Sequence, residues 1–147
     1  MKLEEEIRQT RFSSPHHKAV INLIFTSNWI INRQQELFKP FGITSQQFNI
    51  LRILKGSPQG ISGTEIKSRM LDKNSDISRL LDRLATKGLI QRKDCPVDKR
   101  ATDIFITTEG LSLLEKIAPF QQGFDALLDL SDEEATQLSD LLDRARG

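Results

Sequence analysis

A run of short polar side chains around one arginine, from Asn74 to Arg79, can form several hydrogen bonds to another molecule. At 100° per residue, a helix over residues 74–87 places Ser75, Ser78 and Arg79 on one outward side. Hydroxyl groups can bond to base edges, and a guanidinium can bind guanine through two parallel bonds. The pattern therefore predicts a surface that reads the major groove of DNA, with Asn74 near a phosphate.

The opposite side of the same predicted helix is apolar and should be buried. Four residues recur at the spacing i, i+3, i+4 and i+7, namely Ile77, Leu80, Leu81 and Leu84. Gly88 follows Lys87 and suits the left-handed residue that ends a helix. Asp76 and Asp82 repel phosphate, so we expect at least one of them to be salt-bridged or turned away. In a competing interpretation, Arg79 only pairs with one of these carboxylates.

A loop at residues 95–101 adds a second group of cations between two predicted strands. In an extended segment Asp98 and Arg100 point the same way, about 7 Å apart along the backbone. A guanidinium can span that gap and bind the carboxylate, which would stiffen the loop and aim Lys99 and Arg100 outward. Such a finger could reach the minor groove beside the helix. The alternative is a solvated hairpin with a charged tip. The flanking strands are predicted at residues 89–94 and 102–106.

These segments resemble a known family. Residues Asp98 to Gly110 look like the wing signature of MarR-type transcription regulators, D-x-R-x-x-x-I-x-L-T-x-x-G, with Ile106 in the place of Leu. Residues Leu84 to Arg92 resemble the L-x-x-K-G-L-[IV]-x-R junction of the same family. The resemblance extends from about Ser14 to the C-terminus. It implies a winged helix-turn-helix fold, a homodimer and binding to pseudo-palindromic double-stranded DNA.

The rest of the chain predicts helices on both sides of this unit. Ser14 followed by Pro15 is typical of a helix start, and the helix should continue to about Lys39 with more than one apolar face. Further capping patterns begin at Thr44, Ser62 and Ser131. The expected fold is one mainly α domain with a small β-hairpin wing. Its expected parts are a DNA-binding lobe at about 44–106 and dimerisation helices at about 14–39 and 108–147.

Three finer expectations concern packing. Ile61 should add a short third strand to the hairpin. A short helix over about 63–71 should bury Ile66, Met70 and Leu71. A later helix, capped by Thr107 or Thr108, should be kinked or interrupted at Pro119.

Composition adds bounds on location and partners. The 147 residues carry a net charge of +1, but the charges are unevenly placed. Residues 62–100 hold ten Lys and Arg against six Asp and Glu, while residues 121–147 hold two against seven. The basic middle suits a polyanion, although chance scatter is an alternative. The charged N-terminus lacks a signal-peptide core and no apolar run could span a bilayer, so a cytoplasmic location is expected.

Other chemistry has weaker support in the sequence. Cys95 is the single cysteine and lies near Arg92 and Lys93, whose charges favour a reactive thiolate, so a redox switch and an incidental cysteine are both open. His16 and His17 are consecutive and cannot share a helix face, which argues against a metal site. With no phosphate loop or catalytic triad pattern, we expect neither an enzyme nor a cofactor.

The family resemblance also implies a ligand site. Family members often bind small aromatic acids between the dimerisation helices and the DNA-binding lobe. Here His17, Trp29, Arg33 and Phe48 could line such a pocket, or be plain core. The function expected from the sequence is a homodimeric DNA-binding regulator, a repressor released by a small aromatic ligand or a stress signal. The alternative is a winged-helix module that binds protein instead of DNA.

Overall fold

The computed structural model describes residues 1–94 and 102–147, and these ranges form seven α-helices, one short 3-10 helix and one three-stranded sheet. The helices are α1 Leu3–Glu6, α2 Pro15–Phe38, α3 Ser45–Lys55, α4 Gly63–Arg69, α5 Ile77–Thr86, α6 Thr108–Asp125 and α7 Asp132–Arg146. The 3-10 helix is Lys39–Phe41, and the strands are β1 Ile61–Ser62, β2 Ile90–Asp94 and β3 Thr102–Ile106. The predicted mainly α fold with a small sheet is confirmed. No helix of these ranges combines the length and apolarity needed to cross a membrane.

The long helix α2 begins where the sequence predicts. The Ser14 hydroxyl accepts a hydrogen bond from the His17 backbone N–H at 3.0 Å, and Pro15 occupies the first turn. This arrangement satisfies one of the free N–H groups at the helix start. Within the part of the chain that the structure describes, Phe38 is the one residue of α2 that is buried. Most of α2 therefore presents its apolar side chains at the surface of the single chain.

Side-chain caps also fix the starts of α3 and α4. At α3 the predicted capping box is confirmed, because Thr44 Oγ1 accepts from the Gln47 N–H at 3.2 Å and Gln47 Oε1 accepts from the Thr44 N–H at 3.0 Å. At α4 only half of the box forms. The Ser62 hydroxyl accepts from the Glu65 N–H at 3.2 Å, but the Glu65 carboxylate binds Arg69 instead.

The end of α4 differs from the prediction. Ile66 and Met70 are buried as expected, but Leu71 is 86% exposed, so its predicted place in the core is wrong. The helix ends at Arg69 because Met70 has extended backbone angles, φ −66° and ψ 142°. The chain then no longer follows the helical face that Leu71 would share. Instead the Leu71 N–H donates to Asn49 Oδ1 of α3 at 3.0 Å.

Helix α5 begins at Ile77, three residues later than predicted, because Asp76 caps it. The Asp76 carboxylate accepts from the Arg79 backbone N–H at 3.2 Å, and a negative charge is favourable at this end of a helix. The predicted apolar stripe is confirmed, since its four residues are all buried: Ile77, Leu80, Leu81 and Leu84. Gly88 follows the helix with φ +73°, as predicted.

The sheet has the strand order β1-β3-β2 and is antiparallel throughout. Ile61 pairs with Ile104, which confirms the third strand, and Ile90 pairs with Ile106. Ile90 and Ile104 are buried and join the apolar core that α5 also enters. We call the hairpin β2–β3 with its loop the wing. Its base is therefore attached to the same core as α5.

The C-terminal part follows the sequence pattern closely. Thr107 caps α6, since its hydroxyl accepts from the Gly110 N–H at 3.1 Å. Pro119 lies inside α6 and the helix continues past it, so the interruption that the sequence suggested does not occur. A capping box of Ser131 and Glu134 starts α7, as predicted.

Gly110 marks a close approach between α6 and the segment after α5. A Cβ at Gly110 would lie 2.4 Å from the carbonyl oxygen of Leu89, a backbone atom that can move away only if the chain itself shifts. Overpacking of this kind costs about 1–3 kcal/mol. We therefore expect Gly110→Ala to lower the unfolding midpoint by several degrees in a thermal scan followed by circular dichroism.

Gly123→Ala is the matched control for this prediction. It lies in the same helix, and a Cβ there meets no atom within 4 Å. Alanine is the better helix former, so the midpoint should stay the same or rise. Equal losses in both variants would contradict the close approach at Gly110.

Candidate nucleic-acid interface

The exposed face of α5 is polar, and its orientation follows from the buried stripe. With Ser78 as the origin, Asp82 projects at about 40° and Arg79 at about 100°, while the buried residues centre near 250°. All three polar residues are exposed. The prediction that Ser78 and Arg79 face outward is therefore consistent with the structure, and Asp82 stands between them.

Arg79 forms no ion pair with any residue that the structure describes. The two carboxylates that could have bound it have other partners. Asp76 caps the helix by accepting from the Arg79 backbone N–H, and Asp82 binds Arg92. The described residues therefore do not form the ion pair of the competing interpretation, in which Arg79 binds Asp76 or Asp82. Its guanidinium can donate to an external partner.

Arg92 reaches α5 from strand β2. Because side chains alternate along a strand, Arg92 points to the same side of the sheet as buried Ile90. Its Nη2 donates to Asp82 Oδ1 at 2.7 Å. This confirms the expectation that at least one acid of this face is salt-bridged. Arg92 was not predicted as the partner, although its spacing from Ile90 could have indicated it.

Ser75 does not lie on this surface. It is 6% exposed, and its hydroxyl has no hydrogen-bond partner in the ranges that the structure describes. The outward placement assumed a helix that starts at Asn74, whereas the chain turns there. Asp72 Oδ1 accepts from the Asn74 N–H at 2.9 Å, and the Asp72 carbonyl accepts from the Ser75 N–H at 3.3 Å. The predicted outward position of Ser75 is therefore wrong, while Asn74 is exposed in the turn.

The turn that precedes α5 is held by side chains of α3, which sequence reasoning missed. Asn49 Oδ1 accepts from the Leu71 N–H at 3.0 Å. Gln46 Nε2 donates to Asp72 Oδ2 at 3.4 Å. The sequence signal for these bonds was the pair of amide side chains, Gln46 and Asn49, on a helix that is otherwise rich in core residues. Together they attach the turn before α5 to α3.

The predicted wing residues lie outside the described ranges. These are the contacts Lys99 and Arg100, their support Asp98, and Cys95 with its possible reactivity. The described strands end as a paired hairpin, with Asp94 opposite Thr102. The last described residue of β2 and the first of β3 are therefore neighbours across the sheet.

A cavity of about 1040 Å³ is lined by residues of α2, α3, α6 and α7. Its wall is largely apolar and includes Phe48, whose ring stacks on Phe38 with the centroids 4.4 Å apart. The guanidinium carbon of Arg52 lies 5.9 Å from the centre of the Phe48 ring and also lines the cavity. Gln46 and Asn49, which hold the turn before α5, line it as well.

Of the four residues predicted to line a ligand pocket, one lines this cavity. Phe48 lines the cavity, but His17, Trp29 and Arg33 do not. His17 and Arg33 both lie on α2, about 24 Å apart along the helix axis, so one small pocket would not include both from a single chain. Arg33 instead lies over the Trp29 ring, 5.9 Å from its centre. Periodicity alone could not indicate which side of α2 borders the cavity.

Metal chemistry has no arrangement to support it in the described ranges, where no three His, Cys, Asp or Glu residues form a potential metal site. His16 and His17 project about 100° apart on α2. His17 Nδ1 accepts a hydrogen bond from the Ser13 N–H at 3.1 Å. The exposed face of α5 carries a hydroxyl, a guanidinium and a carboxylate, which can form hydrogen bonds and ion pairs.

Sequence comparisons link the chain to known regulators. A sequence model described as MarR family matches residues 41–101. The chain is 30% identical over 130 residues to the HTH-type transcriptional regulator PecS of Dickeya dadantii, covering 85% of this chain and 78% of that protein. It is 32% identical over 117 residues to the HTH-type transcriptional repressor YetL of Bacillus subtilis, covering 75% of this chain and 70% of that protein.

Solved structures are similar over nearly the whole chain. A mutant MarR from E. coli complexed with operator DNA has a TM-score of 0.76 at 27% identity and covers 99% of both chains. A MarR transcription factor from Planctomyces limnophilus has a TM-score of 0.68 at 31% identity and covers 90% of this chain and 98% of that one. The S. aureus MepR–DNA complex has a TM-score of 0.77 at 25% identity, and covers 92% of this chain and 97% of that one. These similarities confirm the winged helix-turn-helix fold.

The corrected place of Ser75 gives a matched pair of variants. Ser75→Ala removes a buried hydroxyl without a described partner, so the unfolding midpoint should stay or rise and duplex affinity should change less than about twofold. Ser78→Ala removes an exposed hydroxyl from α5, so affinity should fall by about threefold or more with the midpoint unchanged. Fluorescence anisotropy with a labelled duplex measures both. A larger affinity loss in Ser75→Ala than in Ser78→Ala would contradict the buried position of Ser75 and the outward position of Ser78.

Proposed function

This chain belongs to the MarR family of transcription regulators, and we propose that it binds a pseudo-palindromic operator as a sequence-specific homodimer. Proteins of this family regulate transcription and are not enzymes. The observation that carries the proposal is the exposed face of α5. There Arg79 has no ion-pair partner among the described residues, and the helix is anchored by four buried side chains.

We assign the major-groove contacts to Ser78 and Arg79. Arginine can bind guanine O6 and N7 through two bonds, and the serine hydroxyl can bond to a neighbouring base or phosphate. Asn74 lies in the exposed turn before α5, and we propose that it contacts a phosphate. From the sequence we add Lys99 and Arg100 as minor-groove contacts, supported by Asp98.

The homodimer is supported by apolar side chains that a single chain leaves exposed. In α2, Val20 is 54% and Ile24 is 55% exposed, and in α6 Phe120 is 58% exposed. Soluble proteins seldom leave many large apolar groups unpaired on long helices, and a second copy would cover them. We propose dimerisation through residues of about 14–39 and 108–147, with about 44–106 as the DNA-binding lobe. Two copies of α5 would then enter successive major grooves about 34 Å apart.

We propose repression as the mode of action, with release by a small aromatic ligand or a stress signal. The relative YetL is named a repressor, and the similar E. coli structure contains operator DNA. The cavity beside Phe48 and Arg52 offers an aromatic face and a cation to such a ligand. Because Asn49 and Gln46 line this cavity and hold the turn before α5, occupancy could alter the position of α5.

A winged-helix module that binds protein is the alternative function. Such a surface should expose apolar side chains on α5, whereas its exposed residues are polar or charged. Phosphate contacts make affinity fall steeply with salt concentration, while a protein interface of ordinary polarity shows a weaker dependence. The salt dependence of binding to duplex DNA separates the two functions.

Arg79→Ala tests the proposal directly. It should lower affinity for a duplex enriched by this protein from a random pool by about tenfold or more, because a two-bond guanine contact is lost. Arg79→Lys keeps the charge without the two-bond geometry, so it should also lose sequence preference while retaining most of the salt dependence. Titrations by anisotropy at several salt concentrations measure both effects.

Arg11→Ala is the matched control, since Arg11 is an exposed arginine outside the proposed DNA-binding lobe and the proposed dimerisation ranges. Its affinity should remain within about twofold of the unmutated protein. An Arg79→Ala protein that binds the enriched duplex as tightly as this control would contradict the proposed role of α5.

A further inference from the structure

Asp82 places a negative charge near the middle of the surface proposed to meet DNA. On the helical projection it lies between Ser78 and Arg79. Its side chain is 68% exposed, so it is not withdrawn into the core. An unpaired carboxylate there would repel phosphate groups as α5 enters a groove. A DNA-binding face that includes Asp82 therefore needs a local positive charge to offset it.

Arg92 supplies that charge from a fixed position. Its Nη2 lies 2.7 Å from Asp82 Oδ1, and its side chain is 38% exposed. Strand pairing places Arg92 opposite Ile104, and buried Ile90 sets the side of the sheet on which Arg92 projects. The backbone of β2 thus directs the guanidinium towards α5.

We propose that Arg92 is a positioning residue that masks the charge of Asp82, so that Arg79 can meet DNA without a neighbouring negative charge. The proposal rests on the DNA-binding function above and extends it to a residue of β2. Arg92 acts through Asp82 and does not itself contact phosphate. An exposed ion pair adds little to folding stability, so substitutions at either residue should leave a folded protein.

The test is a double-mutant cycle, which compares the unmutated chain with Arg92→Gln, with Asp82→Asn and with the variant that carries both changes. Anisotropy titrations use one labelled duplex enriched by the unmutated protein. Arg92→Gln exposes the carboxylate and should weaken binding by about three- to tenfold. Asp82→Asn should strengthen binding. The double variant carries neither charge, and its affinity should return to within about twofold of the unmutated protein.

Glu5 and Arg11 provide matched controls with the same changes in net charge, since both are exposed and lie outside the proposed dimerisation and DNA-binding ranges. Glu5→Gln and Arg11→Gln should each alter affinity by less than about twofold, because exposed charges outside the interface are screened by salt. Arg92→Lys keeps a cation near Asp82 and should retain affinity. It also preserves the test if Arg92→Gln folds poorly in a thermal scan.

The salt dependence distinguishes masking from direct contact. Arg92→Gln should keep the slope of log affinity against log salt, whereas loss of one phosphate contact would reduce the slope by about one unit. A reduced slope, or a double variant as weak as Arg92→Gln alone, would overturn the proposal. If the unmutated protein binds no duplex at all, the proposed function fails. If it binds and Arg92→Gln has no effect, only the masking role is refuted.

Discussion

The orientation of α5 depends on the burial of one apolar stripe. Ile77, Leu80, Leu81 and Leu84 all enter the core, and each such side chain contributes about 1.5–3 kcal/mol when fully buried. A rotation of the helix that exposed them would lose most of this energy, so the opposite face must point to solvent. The same core includes Ile90 and Ile104 of the sheet, which places the base of the wing beside the helix. The protein can therefore present a helix and a hairpin together because both are attached to one core.

Charge placement then decides which groups on that face are available. Asp76 is engaged as the cap of α5, and Asp82 is engaged by Arg92. Both carboxylates near Arg79 thus have partners, and its guanidinium has none among the described residues. On the surface that we propose meets DNA, these two acids therefore have separate uses, one structural and one electrostatic. The net charge of the chain is only +1, so local arrangement and not total charge supports the interface.

The sequence predicted the apolar stripe, the three-stranded sheet and most helix starts, because these follow from local periodicity and from capping residues close in the chain. It failed where a non-local or competing interaction decided the outcome. Asp76 caps α5 in place of an earlier residue, so Ser75 falls in a turn and is buried. Leu71 leaves the core because α4 ends early, and the Leu71 backbone N–H binds Asn49.

The long helix α2 has several apolar faces, and no local pattern shows which one borders the cavity. For that reason the sequence could not show that Phe48 lines this cavity while His17, Trp29 and Arg33 do not.

The central claim is that two copies of α5 read duplex DNA through the face that its buried stripe turns outward. It is tested most directly by selecting bound fragments from a random duplex pool with the full chain and sequencing them. The account predicts an inverted repeat whose half-sites are centred about one helical turn apart, roughly 10 base pairs. Recovery of fragments with no shared sequence, or of none above background, would contradict it.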